Sequence, residues 1–270
     1  MIREYPPDTD GLVVAHDGGV LRLRLDRPER RNAITDEMVQ ALNACIEAAG
    51  SDESVRVIHL SGTGENFTSG FDLGQRGGGT DKPRAGSTQR RMRWQVNRLV
   101  PTMLETQVPI VCAVQGWAMG LGLSLALASD FVVAAEDARF KAPFTGVGFT
   151  PDSGVAWMLS HLVGVARAKQ MVMLGRTISG VEAAQWGMIH TAVPSSEVDA
   201  TAEALTQELA TAATVAVGLA KLLVHRSLTV DLTRHLEDEG MAIEVSSRSD
   251  DFKEASRAGR EKRKPGFTGR

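Results

Sequence analysis

The stretch IVCAVQGWAMGLGLSLALA, residues 110–128, decides the fold of this chain. Its first five residues are apolar, which predicts a buried strand, and the closing run LSLALA predicts an apolar helix. Between the two, Gly120 and Gly122 let the main chain turn sharply and approach a ligand closely. The sequence therefore predicts a strand, a glycine-rich bend and a helix that begins at the bend.

The start of this helix is a candidate binding site. The first N–H groups of a helix have no acceptor within it and carry the positive end of its dipole. No lysine follows the glycines as it does in a Walker motif, so a phosphate site is not indicated. A pair of N–H groups suits a carbonyl oxygen that becomes negative during a reaction. From these residues alone, a tight turn whose glycines serve only packing remains the alternative.

The segments on either side alternate between strand and helix patterns. The early residues LVVAH and VLRLRLD, joined by DGG (12–26), predict a hairpin, and Thr35 is a good cap for a helix over 36–49. The remaining patterns are a strand at Arg56–Leu60, a mobile Gly-rich loop at Gly74–Ser87, a helix from Gln89 to Glu105 and a strand FVVAAE at 131–136. This alternation predicts a layered α/β fold.

The chain after about residue 153 is mostly helical in pattern. Ser179 and Glu182 form a capping box, and WGMIHTAV (186–193) predicts an edge strand. Helical patterns follow at 196–213, 215–228 and 231–247, and Leu219–Val224 is apolar on several sides. Such a face should be buried on another subunit or on the core. The sequence thus predicts a core at 1–195 and, at 196–270, a C-terminal helical region that packs on this core or on another subunit.

Composition excludes several classes of protein. A net charge of −3 gives no general attraction to nucleic acid or to an anionic membrane. Cys45 and Cys112 lie in apolar runs and are expected to be reduced core residues. The six histidines show no metal-binding spacing. Because no signal-peptide core and no apolar stretch of ~18 residues occurs, a soluble cytoplasmic protein is expected.

Two further loops follow predicted strands and contain polar or flexible residues. They are ENFTSGFDL (65–73) and GVGFTPDSG (146–154). Ligands of α/β folds gather at the carboxyl ends of strands. These loops and the glycine-rich bend are therefore expected to converge on one pocket.

Four runs resemble the crotonase, or enoyl-CoA hydratase/isomerase, superfamily in order and spacing. They are DRPERRNAIT (26–35), FTSGFDL (67–73), VQGWAMGLGLSLALASD (114–130) and ARFKAPFTGVGFTPDSG (138–154). The later runs LGRTISGVEAAQWGMIHTAV (174–193) and KRKPGFTGR (262–270) also fit, so the resemblance covers nearly the whole chain. It implies a spiral of ββα turns with a C-terminal helical trimerisation region, assembled as a homotrimer or a dimer of trimers. It also implies a CoA thioester substrate and no metal or redox cofactor.

The resemblance also implies roles for individual residues. The backbone N–H groups of Phe71 and Leu121 would hold the thioester oxygen, although a leucine at the second place departs from the commonest Gly-Gly-Gly pattern. The CoA arm is expected along Phe71–Gly74 and against the turn Arg31–Ala33, with Phe267 closing over it from the same or a neighbouring subunit. The expected substrate contacts are Arg31, Ala33, Phe71, Asp72, Leu73, Gly74, Gly120, Gly122, Ser124, Phe144 and Phe267. Asp72 is also expected to anchor its own loop.

Missing carboxylates indicate the subclass. The two places where family hydratases carry catalytic glutamates are Ser124 and Phe144 here, and neither side chain ionises near pH 7. Asp152 stands where family isomerases carry an acid that moves protons on the acyl chain. The pattern is most similar to enoyl-CoA isomerases of the 1,2-epoxyphenylacetyl-CoA isomerase type. The resemblance thus implies an isomerase with Asp152 as proton shuttle, while the residues alone favour Asp152 as a helix N-cap.

Several alternatives remain open. Within enzymes they are a hydratase with non-standard catalytic groups and a thioesterase that shares the same oxyanion hole. Ser124 lacks the Gly-x-Ser-x-Gly setting of a nucleophile, and its apolar helical surroundings favour a packing role. The tail RAGREKRK (257–264) has five basic residues in eight positions, which leaves an RNA-binding homologue as the non-enzyme alternative. A solvated tail or a contact to CoA phosphates would explain the same charges.

Overall fold

The strands of the protein form two sheets. The structure is a computed structural model that describes residue 5 and residues 9–76, 84–94 and 96–270. The strands are β1 Leu12–Asp17, β2 Val20–Leu25, β3 Val57–Gly62, β4 Ile110–Val114, β5 Trp117–Met119, β6 Phe131–Ala135, β7 Arg139–Lys141, β8 Thr177–Ser179 and β9 Thr191–Val193. A six-stranded sheet has the order β1-β2-β3-β4-β6-β9, and a three-stranded sheet has the order β5-β7-β8.

Helices connect these strands and cover the C-terminal quarter. They are α1 Asp36–Ala49, α2 Ser87–Trp94, α3 Val96–Glu105, α4 Leu121–Ala128, α5 Val155–Leu174, α6 Gly180–Gln185, α7 Val198–Ala210, α8 Thr214–Arg226, α9 Leu232–Ser246 and α10 Asp250–Glu261. The order β4-β5-α4 is followed by β6-β7-α5, so two strands and a helix repeat along the chain. This repeat confirms the predicted ββα turns.

The large sheet positions the candidate loops at one edge. Except for the antiparallel β1–β2 hairpin, neighbouring strands of this sheet run parallel. Every residue of β4 is buried, as expected for a parallel strand covered on both faces. Since the carboxyl ends of parallel strands meet at one edge, the loops after β3 and β4 leave the sheet side by side.

Most predicted elements are confirmed, with shifts at their ends. The hydroxyl of Thr35 caps α1 by accepting from the N–H of Met38 at 3.2 Å, as expected. The strand expected at Arg56–Leu60 runs over Val57–Gly62, and the Arg56 side chain before it binds the C-terminal region, with Nη2 2.6 Å from the carbonyl oxygen of Ala212. The predicted edge strand is shorter, Thr191–Val193, and lies at the edge of the large sheet.

Two predicted segments extend beyond the described residues. The helix expected from Gln89 to Glu105 corresponds to α2 and α3, and residue 95 between them lies outside the described ranges. The loop expected to be mobile, Gly74–Ser87, includes residues 77–83, which also lie outside them. Its first residues form a 3-10 turn, Leu73–Arg76.

The three predicted C-terminal helices correspond to α7, α8 and α9. Helix α7 packs directly on the large sheet, where Thr206 Oγ1 lies 2.9 Å from His59 Nδ1 and Glu203 pairs with Arg22. The division at residue 195 into a core and an oligomerisation region stays a prediction.

The first part of the basic tail is helical because it belongs to α10, and its charged residues are exposed. The hydroxyl of Ser249 caps this helix, and Arg257 and Arg263 both form ion pairs with Glu254. The run of basic residues predicted a charged tail and did not indicate this helix. Part of that charge is therefore neutralised within the tail.

Both cysteines are buried and unpaired, as predicted. Burial raises the pKa of Cys45 to about 11 and raises that of Cys112 further. Within the described ranges, no single helix is long and apolar enough to cross a membrane, although the segments Ser195–Ala210 and Thr214–Arg226, bent by 110°, pass that test together.

A buried ion pair holds α8 on the core. Lys221 Nζ lies 2.7 Å from Asp130 Oδ2 and donates to the carbonyl oxygen of Val108 at 3.1 Å, with side chains only 4% and 11% exposed. Burial lowers the pKa of Lys221, and the Asp130 carboxylate partly offsets this effect. His225 adds a hydrogen bond to the carbonyl oxygen of Leu104 at 2.8 Å.

Replacing Lys221 by methionine is expected to lower the free energy of unfolding by about 3–5 kcal/mol, because the Asp130 carboxylate loses its buried partner. Urea denaturation measures this change. The same replacement at the exposed Lys169 should have almost no effect. The double variant Asp130→Asn with Lys221→Met should recover part of the loss, since no unpaired charge remains. Equal losses for the single and the double variant would contradict a role for the ion pair.

Candidate functional site

The three candidate loops line one cavity of about 420 Å³. Its walls come from the loop after β3, the glycine-rich bend, the segment before α5, and the helices α2 and α3. The lining residues are Ser69, Gly70, Phe71, Leu73, Met92, Val96, Met119, Gly120, Leu121, Pro143, Phe144, Val147, Phe149, Asp152 and Ser153. The predicted convergence of the three loops on one pocket is therefore confirmed.

A short parallel bridge joins the first loop to the second. The N–H of Thr68 donates to the carbonyl oxygen of Trp117 at 2.8 Å, and the N–H of Met119 donates to that of Thr68 at 3.1 Å. The side-chain oxygen of Asn66 also accepts from the N–H of Trp117 at 3.1 Å. These bonds fix the relative position of the two loops before any ligand is bound.

Asn32 ties the turn after β2 to the same loops. The residue is completely buried and adopts a left-handed φ of 53°. Its side-chain amide donates to the carbonyl oxygens of Thr63 and Asn66, and its own carbonyl oxygen accepts from the hydroxyl of Thr68 at 2.6 Å. Asn32 belongs to the turn expected to contact the CoA arm, but the sequence did not indicate that it links the loops. Its signal was an asparagine in a turn, where it tolerates left-handed geometry.

Phe71 and Leu121 both line the cavity, and the two loops that contain them are in close contact. A Cβ on Gly70 would lie 2.5 Å from the carbonyl oxygen of Met119 and 3.4 Å from the nitrogen of Leu121. On either side of Phe71, Ile34 donates to Gly70 and accepts from Asp72, both at 2.8 Å. This pattern turns the N–H of Phe71 away from Ile34. Their assignment as oxyanion donors stays a prediction.

Helix α4 begins at the cavity. Gly120, its N-cap, has φ of 56° and ψ of −116°, a combination that side chains other than hydrogen rarely allow. The N–H of Leu121 is in the first turn, where the helix offers no acceptor. The whole of α4 is buried, so its positive end faces the cavity with little screening by water.

Asp152 is half-buried and lies between the cavity and the start of α5. The N-cap of α5 is Gly154, which has no side-chain cap hydrogen bond. The alternative that Asp152 is the N-cap is therefore wrong. Two consecutive left-handed residues, Ser153 (φ 51°) and Gly154 (φ 77°), shift the start of the helix beyond it. For Ser153 this conformation costs about 1–2 kcal/mol.

A second, larger cavity of about 1120 Å³ lies on the other side of Asp152. It extends between the helices α2 and α3 and the segment 149–157. Apolar side chains such as Val100, Leu104 and Trp157 form much of its wall. Both cavities share Met92, Phe149, Asp152 and Ser153, so the carboxyl group stands where the two meet.

Arg27 organises the surface expected to hold the CoA arm. Its Nη1 atom donates to the carbonyl oxygen of Ala33 at 2.7 Å and to the Asp72 carboxylate at 3.0 Å. The guanidinium of Arg27 holds the pKa of Asp72 below its usual value, with help from the N–H of Gly74. Asp72 therefore anchors its own loop, as expected. The exposed Arg31 joins the same surface through its carbonyl oxygen, which accepts from Ser69.

Replacing Arg27 by methionine is expected to raise KM for an acyl-CoA by about 3–10-fold, because a charged hydrogen bond worth roughly 1.5–3 kcal/mol no longer holds the loop at Asp72. The value of kcat should change little. Steady-state kinetics measures both constants. The matched variant Arg30→Met removes an exposed guanidinium nearby and should leave KM almost unchanged. Equal KM values for wild type and Arg27→Met would contradict this role.

Seven of the predicted contact residues are outside the lining of this cavity. Four of them, Arg31, Ala33, Asp72 and Gly74, belong to the surface around Arg27. The remaining three lie elsewhere. Ser124 is fully buried and its hydroxyl donates to the carbonyl oxygen of Gly120 at 3.4 Å, so it is a packing residue. Gly122 faces the first loop, where a Cβ would lie 2.3 Å from Thr68 Cγ2. Phe267 lies with Arg56, before the start of β3 and at the opposite end from the candidate loops. Within one chain it does not close over the site, and closure across a subunit interface stays a prediction.

In the described part of the chain, no group of three or more His, Cys, Asp or Glu side chains is arranged to hold a metal ion. Asp152 is the one carboxylate among the described residues that line the smaller cavity. The arrangement combines helix-end N–H groups, a half-buried acid and apolar walls. Such a site suits proton transfer next to a carbonyl group.

Comparisons with known proteins identify relatives that match nearly the whole chain. The sequence profile of the Enoyl-CoA hydratase/isomerase family matches residues 15–270. The 1,2-epoxyphenylacetyl-CoA isomerase of Escherichia coli is 36% identical over 259 residues, which are 96% of this chain and 98% of that protein. The 2,3-dehydroadipyl-CoA hydratase of the same organism is 32% identical, with 96% and 99% covered. A crystal structure of enoyl-CoA hydratase from Bacillus anthracis has a TM-score of 0.89 at 29% identity, with 96% of this chain and 100% of that chain covered. The chain belongs to the enoyl-CoA hydratase/isomerase family, the crotonase superfamily.

Proposed function

We propose that this protein is an acyl-CoA isomerase that moves a double bond or rearranges a ring through a thioester enolate. One observation carries the proposal. Asp152 is the one carboxylate among the described residues of the cavity that contains Phe71 and Leu121. The places where family hydratases carry glutamates are the buried Ser124 and the apolar Phe144. A single acid suits removal and return of one proton better than activation of water by two.

The proposed reaction has no net gain or loss of protons or electrons. The N–H groups of Phe71 and Leu121 hold the thioester oxygen, and the Asp152 carboxylate takes a proton from the acyl chain. The electron pair of the broken C–H bond forms the enolate, whose negative oxygen the two N–H groups stabilise. The protonated carboxyl group then returns the proton to a different carbon. Since nothing is oxidised or reduced, we propose that no redox cofactor is required.

The larger cavity supports a substrate with a long or aromatic acyl group. The thioester occupies the smaller cavity in this proposal, and the acyl tail passes Asp152 into the space beside Val100, Leu104 and Trp157. An acyl group of only four carbons would leave most of that space unfilled by substrate. We therefore expect kcat/KM to rise from butenoyl to longer or phenyl-containing acyl-CoA thioesters.

Exchange and turnover measurements test the proposal. A series of 3-enoyl-CoA and 2-enoyl-CoA thioesters is incubated in D₂O, and NMR follows deuterium at the acyl carbons, double-bond position, hydration and free CoA. Deuterium entry with double-bond movement supports the isomerase. Hydration without double-bond movement would establish a hydratase instead, and release of free CoA a thioesterase. Absence of deuterium exchange for every thioester would contradict enolate formation at this site.

We also propose that the protein forms a homotrimer or a dimer of trimers in the cytoplasm. The support for assembly is a set of exposed large apolar side chains on α8, α9 and the turn between them. They are Val224, Leu228, Leu232, Leu236, Met241, Ile243 and Val245. Apolar patches of this kind mark surfaces that another protein chain covers. Light scattering of the purified protein measures the number of subunits.

A further inference from the structure

Ser153 has an unusual combination of burial and backbone conformation. The residue is only 4% exposed, and its φ of 51° lies in the left-handed region that residues with a Cβ avoid. Glycine would adopt this conformation without strain, as the next residue, Gly154, does at 77°. Strain of this kind persists at functional sites when the side chain has a task that glycine cannot perform.

The side chain of Ser153 makes one contact that suggests such a task. Its hydroxyl donates to Asp152 Oδ1 at 3.0 Å. An ionised carboxylate only accepts hydrogen bonds, so the hydroxyl is its donor in this pair. Both residues line the smaller cavity and also the larger one. The contact therefore lies where an acyl chain would run between the two cavities.

We propose that Ser153 is a positioning residue for the reaction and orients the Asp152 carboxylate for proton transfer. The inference rests on the proposed function of Asp152. The hydroxyl keeps its own proton throughout, while Asp152 takes the proton from one acyl carbon and returns it to another. The hydrogen bond fixes one oxygen of the carboxylate and favours its ionised form. The left-handed conformation of Ser153 lets its hydroxyl reach the carboxylate of the preceding residue.

The variants Ser153→Gly and Ser153→Ala test this role through the pH dependence of kcat/KM. Both remove the hydroxyl, and the glycine also removes the backbone strain. Without the hydrogen bond the ionised carboxylate is less favoured, so the range over which kcat/KM rises with pH should move to higher pH. Looser positioning of the base should also lower kcat by about 10-fold. Conversion of a 3-enoyl-CoA into the conjugated 2-enoyl-CoA provides the readout.

Thermal unfolding separates positioning from a purely structural role. Ser153→Gly should not lower Tm, because relief of strain offsets the added freedom of the unfolded chain. A stable Ser153→Gly protein with the wild-type pH profile and kcat would overturn the inference.

The variant Asp152→Asn shows whether a negative result concerns only the positioning role of Ser153 or the proposed function of Asp152 as well. Full activity of Asp152→Asn would remove the proposed base, and the positioning role with it. An inactive Asp152→Asn beside an unchanged Ser153→Gly would remove the positioning role alone. In the double variant, adding Ser153→Gly to Asp152→Asn should cause no further loss, because the two residues act through one group.

Discussion

Asp152→Asn is expected to lower kcat/KM for isomerisation by about 10²–10⁴-fold, the usual contribution of a positioned general base. Asparagine fills nearly the same volume and retains one acceptor oxygen, so the start of α5 should keep its shape. It cannot take a proton from carbon near pH 7. The loss should appear in kcat rather than in KM, because the group acts in the transition state and not on the bound thioester.

Deuterium exchange into the acyl group should decrease by the same factor, since it reports the same proton removal without requiring the double bond to move. The matched control is Asp137→Asn. Asp137 is exposed, lies outside both cavities that border Asp152, and pairs with the hydroxyl of Ser195. Its replacement should leave the rate almost unchanged. Retention of full isomerase activity by Asp152→Asn would assign the proton transfer to another group.

Features that depend on one continuous stretch of chain were accessible from the sequence. The β1–β2 hairpin, the helix after Thr35 and the strand and helix at the two ends of 110–128 follow from local patterns, whereas the bend between them contains the additional strand β5. The convergence of three loops was also accessible, because parallel strands present their carboxyl ends at one edge. Local chemistry and a general rule of sheet topology were enough for these.

Features that depend on contacts between distant segments were not accessible. Ser124 stands at a position where family hydratases carry a catalytic glutamate. In this structure it is completely buried, because α4 packs inside the core. The family resemblance predicted Phe267 near the candidate loops. In the structure the Arg56 side chain binds the Phe267 carbonyl oxygen before the start of β3, away from those loops. The tie between Arg27 and Asp72 joins residues 45 positions apart, and no pattern in either segment indicates it.

The start of α5 shows how a local rule fails when two residues adopt left-handed geometry. Asp before Ser-Gly-Val is a good capping pattern, and the rule predicts Asp152 as N-cap. The left-handed Ser153 and Gly154 move the cap to Gly154 and leave the carboxylate at the cavity. When a residue does not occupy the capping position that its local sequence favours and lines a cavity instead, it is a candidate functional residue.

Gly70→Ala is expected to lower kcat by about 10²–10³-fold, the effect of losing one oxyanion donor. The added Cβ would lie 2.5 Å from the carbonyl oxygen of Met119, a main-chain atom that cannot rotate away. The φ of 93° at Gly70 disfavours alanine as well. The two loops must move apart, which would separate the N–H groups of Phe71 and Leu121 that we propose to hold one oxygen. KM should change less than kcat, because the enolate oxygen depends on the pair more than the neutral thioester does.

The control for Gly70→Ala must carry the same backbone strain without the steric clash. Gly187 has a φ of 71°, is exposed and has no atom within 4 Å of an added Cβ. Gly187→Ala should therefore lower Tm slightly and leave kcat unchanged. Thermal unfolding of both variants shows whether they are folded at the assay temperature, and kcat is compared only where they are. If folded Gly70→Ala turned over at the wild-type rate, the approach of the two loops would be unnecessary for catalysis. That result would contradict the proposal that the N–H groups of Phe71 and Leu121 together stabilise the enolate.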